Sequence, residues 1–257
     1  MKILASSDFH GRLPNIAEPF DLFLICGDVC PVECHGINFQ EDWLQNDFIE
    51  WVNRLPFKTS WSKVVMTWGN HDFYGEKCSE EDMLMLERLT NFRLKILRHS
   101  SYDFEYPVND GVDTLKIFGT PYCGIFGRWA FMKDDDTLNE LFSEIKEDTD
   151  VIVSHDSPNR NGLGDITQGK WARKGTGNNV LYDHILRVNP KLFVCGHFHS
   201  GNHEFKNIDG IYMANVSYID ENYEPFWPVL SIDYDEENRI IIEKKEDKDG
   251  EEPDTRS

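Results

Sequence analysis

The apolar residues of the chain fall into short runs that each stop at a glycine or a polar side chain. Residues 21–26, Asp-Leu-Phe-Leu-Ile-Cys, end at Gly27-Asp28, and residues 192–195 end at Gly196-His197. Such short, bounded apolar runs are typical of strands buried in a parallel sheet. The pattern predicts strands at residues 2–6, 21–26, 62–68, 94–97, 114–119, 151–154, 192–195, 210–215, 228–231 and 239–243.

Segments with helical spacing of apolar residues separate many of these runs. In the first of them, Trp43, Leu44, Phe48 and Trp51 fall on one face. The same periodicity predicts helices at residues 40–54, 80–89, 137–147 and 180–188. Strands that alternate with helices indicate an α/β fold, and ligands in such folds bind at the carboxyl ends of the strands.

A strong turn signal, Asn109-Asp110-Gly111, lies between the predicted strands at 94–97 and 114–119. We therefore expect these two strands to pair as a hairpin in a second, more antiparallel sheet. The three last predicted strands, from residue 210 to residue 243, are expected to complete that sheet.

The length of 257 residues suits one sizeable core, so we predict a single domain over residues 1–243. Residues 244–257 are charged and lack apolar side chains, which predicts a disordered tail. No apolar run approaches the length of a membrane helix, and the polar Ser6-Ser7-Asp8 comes too early for an export signal. We expect a cytoplasmic protein, no membrane partner, and six reduced cysteines.

The formal net charge of the chain is −20. A field of this sign opposes contact with phosphate backbones, so a general nucleic-acid binder is disfavoured, although nucleic acid is not excluded as a partner. Solubility explains most of this excess of negative charge, and carboxylates that bind cations explain a part of it.

Five polar clusters follow apolar runs and together supply what a two-metal site needs. A pair of divalent ions requires carboxylate and imidazole ligands and one group able to bridge, and Asp28 is the natural bridge because its two oxygens can reach two ions. Oxygen and nitrogen donors without thiolate suit manganese, iron or zinc alike. Each cluster alone has a plainer explanation as a turn or a helix cap. All five clusters in this order, each after an apolar run, arise by chance much less often than any one of them. The clusters are Asp8 with His10, Asp28, Asn70 with His71, His155, and His197 with His199.

The motifs D-x-H, G-D, G-N-H-D, a lone H and G-H-x-H, in this order, resemble the calcineurin-like metallophosphoesterase family over roughly residues 1–215. The resemblance implies a four-layer α/β/β/α sandwich of two mixed sheets flanked by helices. It implies that one metal is held by Asp8, His10, Asp28 and His199. It implies that the other metal is held by Asp28, Asn70, His155 and His197.

The resemblance also implies a mechanism. The two metals lower the pKa of a bridging water, and the resulting hydroxide attacks phosphorus in line. His71 is implied to contact the scissile phosphate and to protonate the leaving group. Asp72 is a second catalytic candidate, because it could orient His71 or raise its pKa, and a purely structural role for it is about as well supported.

One departure from the family pattern concerns the second block. Many members carry a further aspartate downstream of the G-D pair, whereas here Gly27-Asp28 is followed by Val29-Cys30-Pro31. This places the substrate class in doubt more than the activity. Within the family, the spacing from His155 to His199 most resembles the small phosphodiesterase-like (MPPED-like) branch.

The loop at residues 158–179 concentrates cations in an otherwise acidic chain. With Asn70, these cations are candidates for binding a substrate phosphate, and a solvated loop is an equally good interpretation. Trp129 and Trp171 could stack on a nucleobase, although buried packing is more common for tryptophan. We expect His35, His99 and His184 at the surface or in packing, and His203 beside the last ligand. The loop cations are Arg160, Lys170, Arg173 and Lys174.

We conclude from the sequence that the chain is a dinuclear-metal-dependent phosphoesterase acting on a phosphodiester or a small phosphomonoester. Two alternatives stay open. One is a DNA nuclease of the same family, which shares the G-N-H-D block; the other is a catalytically silent scaffold that keeps the fold. The substrate, the metals and the oligomeric state are not determined by the sequence.

Overall fold

The computed structural model describes residues 1–242, and the predicted tail at 244–257 lies outside the described residues. The strands are β1 Lys2–Ser6, β2 Leu22–Cys26, β3 Lys63–Thr67, β4 Leu94–Leu97, β5 Ser100–Val108, β6 Gly111–Thr120, β7 Cys123–Gly124, β8 Met132–Lys133, β9 Val151–Ser154, β10 Leu192–Cys195, β11 Lys206–Ile208, β12 Ile211–Asn215, β13 Leu230–Asp235 and β14 Ile240–Ile242. The α-helices are α1 Ile37–Trp43, α2 Ile49–Arg54, α3 Phe73–Lys77, α4 Glu80–Leu89, α5 Asp135–Ser143 and α6 Asn179–Val188, and a π turn at Leu44–Phe48 joins α1 to α2.

Two six-stranded sheets form the centre of the fold. The first sheet has the order β14-β13-β1-β2-β3-β4, and the second has the order β11-β12-β10-β9-β6-β5. Four adjacent strands are parallel in each sheet. Antiparallel strands are added at one edge of the first sheet (β13 and β14) and at both edges of the second (β11 and β5). The carboxyl ends of the parallel strands therefore meet at one edge of the protein.

Side-chain packing divides the protein into four layers. One apolar cluster lies between the first sheet and the helices α1, α2 and α4, and includes Phe23, Val52 and Leu86. A second fills the space between the two sheets, and a third joins the second sheet to α5 and α6. The predicted four-layer α/β/β/α sandwich is confirmed.

The predicted hairpin between residues 94–97 and 114–119 is wrong. β4 pairs in parallel with β3 in the first sheet, and the hairpin partner of β6 is β5. In β5 only Phe104 and Tyr106 are buried, in alternation with exposed polar residues. This period of two marks a half-buried strand, which a search for continuous apolar runs passes over.

The predicted assignment of the last strands to the second sheet is also wrong in part. β12 lies in the second sheet as expected, but β13 pairs antiparallel with β1 and β14 pairs with β13, so both extend the first sheet. An antiparallel strand can add to any open sheet edge, and local pattern does not distinguish between two such edges.

The helices agree with the predicted positions within a few residues. Ser79 caps α4 by accepting from the Asp82 N–H, while the Asp82 side chain accepts from the Ser79 N–H, which fixes the first residue of this helix. The short elements α3, β7, β8 and β11 were not predicted. None of the helices in the described part of the chain is long and apolar enough to span a membrane.

The buried side chain of His99 predicts a pH dependence of stability. Its Nε2–H donates to the Leu141 carbonyl (3.0 Å), its Nδ1 lies 3.0 Å from Thr120 Oγ1, and burial lowers the pKa of His99 below its ordinary value of 6.5. As the pH falls through about 6.5, the unfolded chain binds a proton at this side chain while the folded protein does not, so stability is lost on the acid side. We expect the free energy of unfolding to fall less between about pH 7.5 and pH 5 in His99→Gln than in the wild type. Denaturant unfolding at both pH values measures this, and parallel pH profiles would contradict it.

Candidate metal centre and cleft

Every predicted metal ligand lies at the edge where the parallel strands end. Asp8 follows β1, Asp28 follows β2 and Asn70 follows β3, while His155 and His197 follow β9 and β10 of the other sheet. Four of the predicted ligands have a left-handed backbone, with φ of 55° at Asp8, 44° at His10, 51° at Asp28 and 71° at His197. Non-glycine residues adopt this conformation rarely, and such strain concentrates at functional sites.

The carboxylate of Asp28 lies between two histidines that come from different sheets. Its Oδ2 is 3.6 Å from His10 Nε2 and 3.5 Å from His155 Nε2, and its Oδ1 accepts from the His71 backbone N–H at 2.7 Å. Asp28 Oδ2 therefore lies close to a ring nitrogen of each of the two histidines.

The carboxylate of Asp8 is held from three directions. The His197 backbone N–H donates to both of its oxygens at 3.1 and 3.0 Å, and the Ser217 hydroxyl donates to Oδ2 at 2.8 Å. His199 Nε2 lies 3.5 Å from Asp8 Oδ1. The side chain of Asp8 is completely buried, so these contacts hold it in one orientation.

Lone pairs converge beside His155. Its Nδ1–H donates to the Cys26 carbonyl (2.9 Å), so in the neutral ring Nε2 carries a lone pair. That nitrogen faces Asn70 Oδ1 at 2.8 Å and Asp28 Oδ2. A nitrogen, an amide oxygen and a carboxylate oxygen this close together fit a cation.

His10 provides a second observation that fits a metal. Both ring nitrogens are buried and have no hydrogen-bond partner among the residues that the structure describes. Burying a polar atom without a partner is costly, and a metal ion would satisfy Nε2.

The donor atoms group into two sets that share Asp8. In one set, donor atoms of Asp8, His10 and His199 lie within 4.8 Å of one another, and in the other set the same holds for Asp8, Asp28 and His155. Asn70 extends the second set through its contact with His155, and the His197 ring lies 5.0 Å from the His155 ring between centroids. The residues present therefore fit a metal centre.

Electrostatics at this centre favour a bound cation. Burial, followed by the charges of Asp72 and Asp8, raises the pKa of Asp28 well above its usual range. Burial also lowers the pKa of His10 well below its usual range, so this ring is neutral and able to bind a metal. Burial opposes the charged form of Asp8, but the hydrogen bond and charge of His199 lower its pKa. A positive ion between the carboxylates would relieve their repulsion.

Two glycines allow the ligand loops to approach each other. A Cβ at Gly196 would overlap with Ser7 Oγ and Asp8 Oδ2, and a Cβ at Gly69 would overlap with Asp28. The glycine of the G-H-x-H motif is therefore required for contact between the two sheets at the site.

His71 is held at the mouth of the metal centre by both its backbone and its ring. Its carbonyl accepts from Gln40 Nε2 at 2.7 Å, and its ring packs on Trp129 with centroids 4.3 Å apart and on His10 with centroids 4.7 Å apart. His71 Nδ1 lies 3.2 Å from His35 Nε2. Burial, followed by the charge of His35, lowers the pKa of His71 to about 3.

Asp72 does not orient the His71 ring. Its carboxylate accepts from the backbone N–H groups of Gly69 (2.8 Å), Cys30 (2.9 Å) and Val29 (3.4 Å). These bonds tie the loop after β3 to the loop after β2. The position of Asp72 agrees with the structural role that the sequence left open.

A cleft of about 490 Å³ opens above these residues. Of the four predicted loop cations, the structure places only Arg173 in its wall. Arg160 pairs with Asp209 at 3.0 Å and Lys170 lies over the exposed Trp171 ring, while Lys174 does not line the cleft as described. The expectation that Arg160, Lys170 and Lys174 face substrate is therefore not supported by their positions. The polar lining of the cleft includes Asp28, Asn70, His71, Asp156, Arg173, His197, His199, Glu221 and Tyr223, and its apolar lining includes Ile125, Phe126 and Trp129.

Several residues at the site were not found from sequence. Tyr223 packs against the rings of His10 and His199, with centroids 5.0 and 5.4 Å away, and no motif marks it. His35, which the sequence places at the surface or in packing, lies 3.2 Å from the ring of His71, and no motif marks it. His203, expected near the last ligand, lies 3.1 Å from the His199 carbonyl, which also accepts from Trp227.

Comparisons with known proteins show the family and the fold of this chain. A family model described as calcineurin-like phosphoesterase matches residues 1–201. Metallophosphoesterase domain-containing protein 1 of Homo sapiens is 26% identical over 246 residues, which cover 90% of this chain and 70% of that protein, and the Mus musculus protein matches equally. The crystal structure of the phosphopantetheinyl hydrolase PptH from Mycobacterium tuberculosis superposes with a TM-score of 0.51 at 14% identity, over 86% of this chain and 90% of that one, and so shares the fold. The MPPED-like resemblance is confirmed, and the chain belongs to the calcineurin-like phosphoesterase family.

Proposed function

We propose that the protein hydrolyses a phosphodiester or a small phosphomonoester with the aid of two divalent metal ions. The observation that carries this proposal is the position of Asp28 Oδ2, 3.6 Å from His10 Nε2 and 3.5 Å from His155 Nε2. A carboxylate oxygen between two separate imidazoles suits a bridge between two ions.

In this proposal the ligands divide as the family pattern assigns them, with Asp28 shared between the ions, whereas the two sets of clustered donor atoms in the structure share Asp8. Manganese, iron and zinc all accept this set of oxygen and nitrogen donors. When bound, such ions neutralise charge on the phosphoryl oxygens and make water a better nucleophile near neutral pH. Asp8, His10, Asp28 and His199 would hold one ion, and Asp28, Asn70, His155 and His197 would hold the other.

The chain's own groups then act on the substrate. His71, which lines the cleft, gives a proton to the leaving oxygen as the bond between that oxygen and phosphorus breaks, once the negative charge of a bound phosphate has raised its low pKa enough for the ring to take up a proton. Arg173 pairs with a phosphate oxygen or a neighbouring anionic group. The apolar wall of Ile125, Phe126 and Trp129 covers the organic part of the ester and keeps water away from it.

The cleft favours a small ester over a nucleic acid. About 490 Å³ accommodates a small molecule, and among the described residues the acidic groups of Asp135, Asp156 and Glu221 share the lining with a single arginine or lysine, Arg173. The chain as a whole carries a formal net charge of −20, which repels a long phosphate backbone.

The test of the proposed function is an assay with defined metals. We expect the purified protein, loaded with Mn²⁺, Fe²⁺ or Zn²⁺, to hydrolyse bis-p-nitrophenyl phosphate or p-nitrophenyl phosphate, and chelator treatment to remove the activity. Metal analysis is expected to give about two ions per chain. Linear DNA with Mn²⁺ serves as the comparison substrate. Inactivity on both esters with every metal would refute the proposal, cleavage of DNA alone would favour the nuclease, and a protein that binds no metal would favour the scaffold.

A further inference from the structure

The ring of His71 has a hydrogen-bonding partner that the metal centre does not use. His35 Nε2 lies 3.2 Å from His71 Nδ1, and the two rings are inclined by 62°. His35 is on the loop between β2 and α1. An imidazole thus occupies a position beside the proton donor of the proposed reaction.

We propose that His35 is a positioning residue that holds the proton of His71 on Nδ1 and so directs Nε2 to the leaving group. The inference rests on the proposed function, in which His71 protonates the leaving oxygen. His35 itself touches neither the substrate nor the metals.

The surroundings of His35 hold it in place for this role. Its ring packs on Phe73, with centroids 5.3 Å apart, and against Trp129 at 5.4 Å, which also covers one face of His71. In α1, which follows His35 directly, Gln40 donates to the His71 carbonyl and accepts from the Tyr74 N–H at 2.9 Å. The segment that follows β2 therefore holds both the backbone and the ring of His71.

The chemistry of the pair follows from the two ring nitrogens. A neutral imidazole has one donor and one acceptor, so His35 Nε2 can accept the Nδ1–H of His71 in its neutral and its protonated form. With Nδ1 bound to His35, Nε2 is the ring nitrogen left to contact the leaving oxygen. In the proposed reaction the proton that His71 gives to the leaving oxygen is carried on Nε2, and the bond from that oxygen to phosphorus breaks with its electron pair. Attack by water forms the new bond to phosphorus, and the proton that this water loses replaces, by way of solvent, the one given up by Nε2.

An imidazole partner differs from a carboxylate in its charge. A carboxylate beside Nδ1 would stabilise the protonated His71 ring and hold its proton, whereas an imidazole can orient the ring without adding a negative charge. His35 would therefore matter most for esters whose leaving group needs a proton, and least for a nitrophenolate, which leaves as a stable anion.

The kinetic test compares two esters of the same phosphate. In His35→Ala we expect kcat for a phenyl or alkyl ester to fall by about 10- to 100-fold with little change in KM, and kcat for the p-nitrophenyl ester to fall much less. His35→Gln, which can accept through its amide oxygen, is expected to recover part of the loss. In a His71→Ala background, His35→Ala should cause no additional loss, because residues that act as a unit are not additive.

His184→Ala is the matched control, because His184 is a partly buried histidine bonded to Asn139 and does not line the cleft. Equal losses on both esters in His35→Ala, or an additive loss in the double variant, would overturn the inference. Metal content and thermal unfolding are measured for every variant, and a positioning role predicts that both stay close to the wild type.

A measurement without turnover separates this inference from the proposed function. In the zinc-loaded protein, the ¹⁵N chemical shifts of the His71 ring are expected to show one tautomer with the proton on Nδ1, and His35→Ala is expected to give a mixture of tautomers. The same mixture in the wild type would overturn the inference even if the enzyme were active. A single Nδ1–H tautomer in an inactive wild type would support the positioning contact while refuting the proposed function.

Discussion

Replacing Asp28 with asparagine is expected to abolish phosphoester hydrolysis and to weaken metal binding at both positions. Oδ2 of Asp28 faces His10 and His155 at 3.6 and 3.5 Å, so one substitution removes the charge that both ions would share. Metal catalysis supplies several kcal/mol of transition-state stabilisation, and its loss corresponds to a decrease in kcat/KM of about a thousandfold or more. Metal analysis of the purified variant, together with the p-nitrophenyl assays, measures both effects.

The same substitution should not destabilise the metal-free protein. Burial and the neighbouring carboxylates Asp72 and Asp8 raise the pKa of Asp28 well above its usual range, so the neutral amide introduced by Asp28→Asn resembles the form that the metal-free site favours. We expect the melting temperature without metal to be equal to or higher than that of the wild type, and the increase on adding metal to be reduced. A lower melting temperature without metal would show that Asp28 acts chiefly in folding.

Asp21→Asn provides the control for Asp28→Asn. Asp21 is just as buried and lies immediately before the same strand, β2, at its opposite end. Its Oδ2 accepts from the Lys2 N–H at 2.7 Å and from Lys58 Nζ at 2.9 Å, away from the ligands. Asp21→Asn is expected to lower stability without changing metal content or activity. Loss of metal in both variants would show that general destabilisation, and not ligation, is responsible.

Replacing His71 with glutamine is expected to lower kcat while metal binding is retained. His71 lies at the cleft beside the metal centre, but its side chain is not in either set of clustered donors. General acid catalysis contributes about 10²- to 10⁴-fold, so we expect a loss of that size on esters with a poor leaving group. Steady-state kinetics with Mn²⁺ and metal analysis on the same samples measure the two properties.

Asp28→Asn, which is expected to lose both metal and turnover, provides the comparison for His71→Gln. A variant that keeps its metals and loses turnover places His71 in the chemical step, whereas a variant that loses both would place it in metal binding. Unchanged kcat on every ester would contradict the general-acid role and would also remove the basis of the contact with His35.

Much of the fold could be predicted because fully buried strands are visible in the sequence as short apolar runs. The apolar runs that became β1, β2, β3, β9 and β10 are buried at almost every position, and runs of this kind are visible without any structure. β5 was missed because its buried residues alternate with exposed ones. β13 and β14 were placed in the wrong sheet because the pairing that decides it joins opposite ends of the described chain, as in the pairing of Lys2 with Asp233.

The candidate site also has residues that could be predicted from the sequence and residues that could not. Metal ligands could be proposed from sequence because each follows a strand, and the carboxyl ends of parallel strands necessarily meet at one edge. The loop cations could not be assigned, since nothing local distinguishes Arg173, which lines the cleft, from Arg160, which pairs with Asp209. His35 and Tyr223 reach the site from loops whose paths depend on the packing of the whole protein.

By itself the sequence determined the layered α/β class, the family and the set of residues able to bind metals, because these depend on short-range periodicity and on the order of motifs. Only the tertiary structure decided which oxygen of Asp28 faces His10 and His155, which cation enters the cleft, and that Asp72 ties two loops together while His35 contacts His71. The physical reason is that hydrogen bonds and ion pairs act over about 3–4 Å, and such distances between residues far apart in the chain are set only when the two sheets have packed.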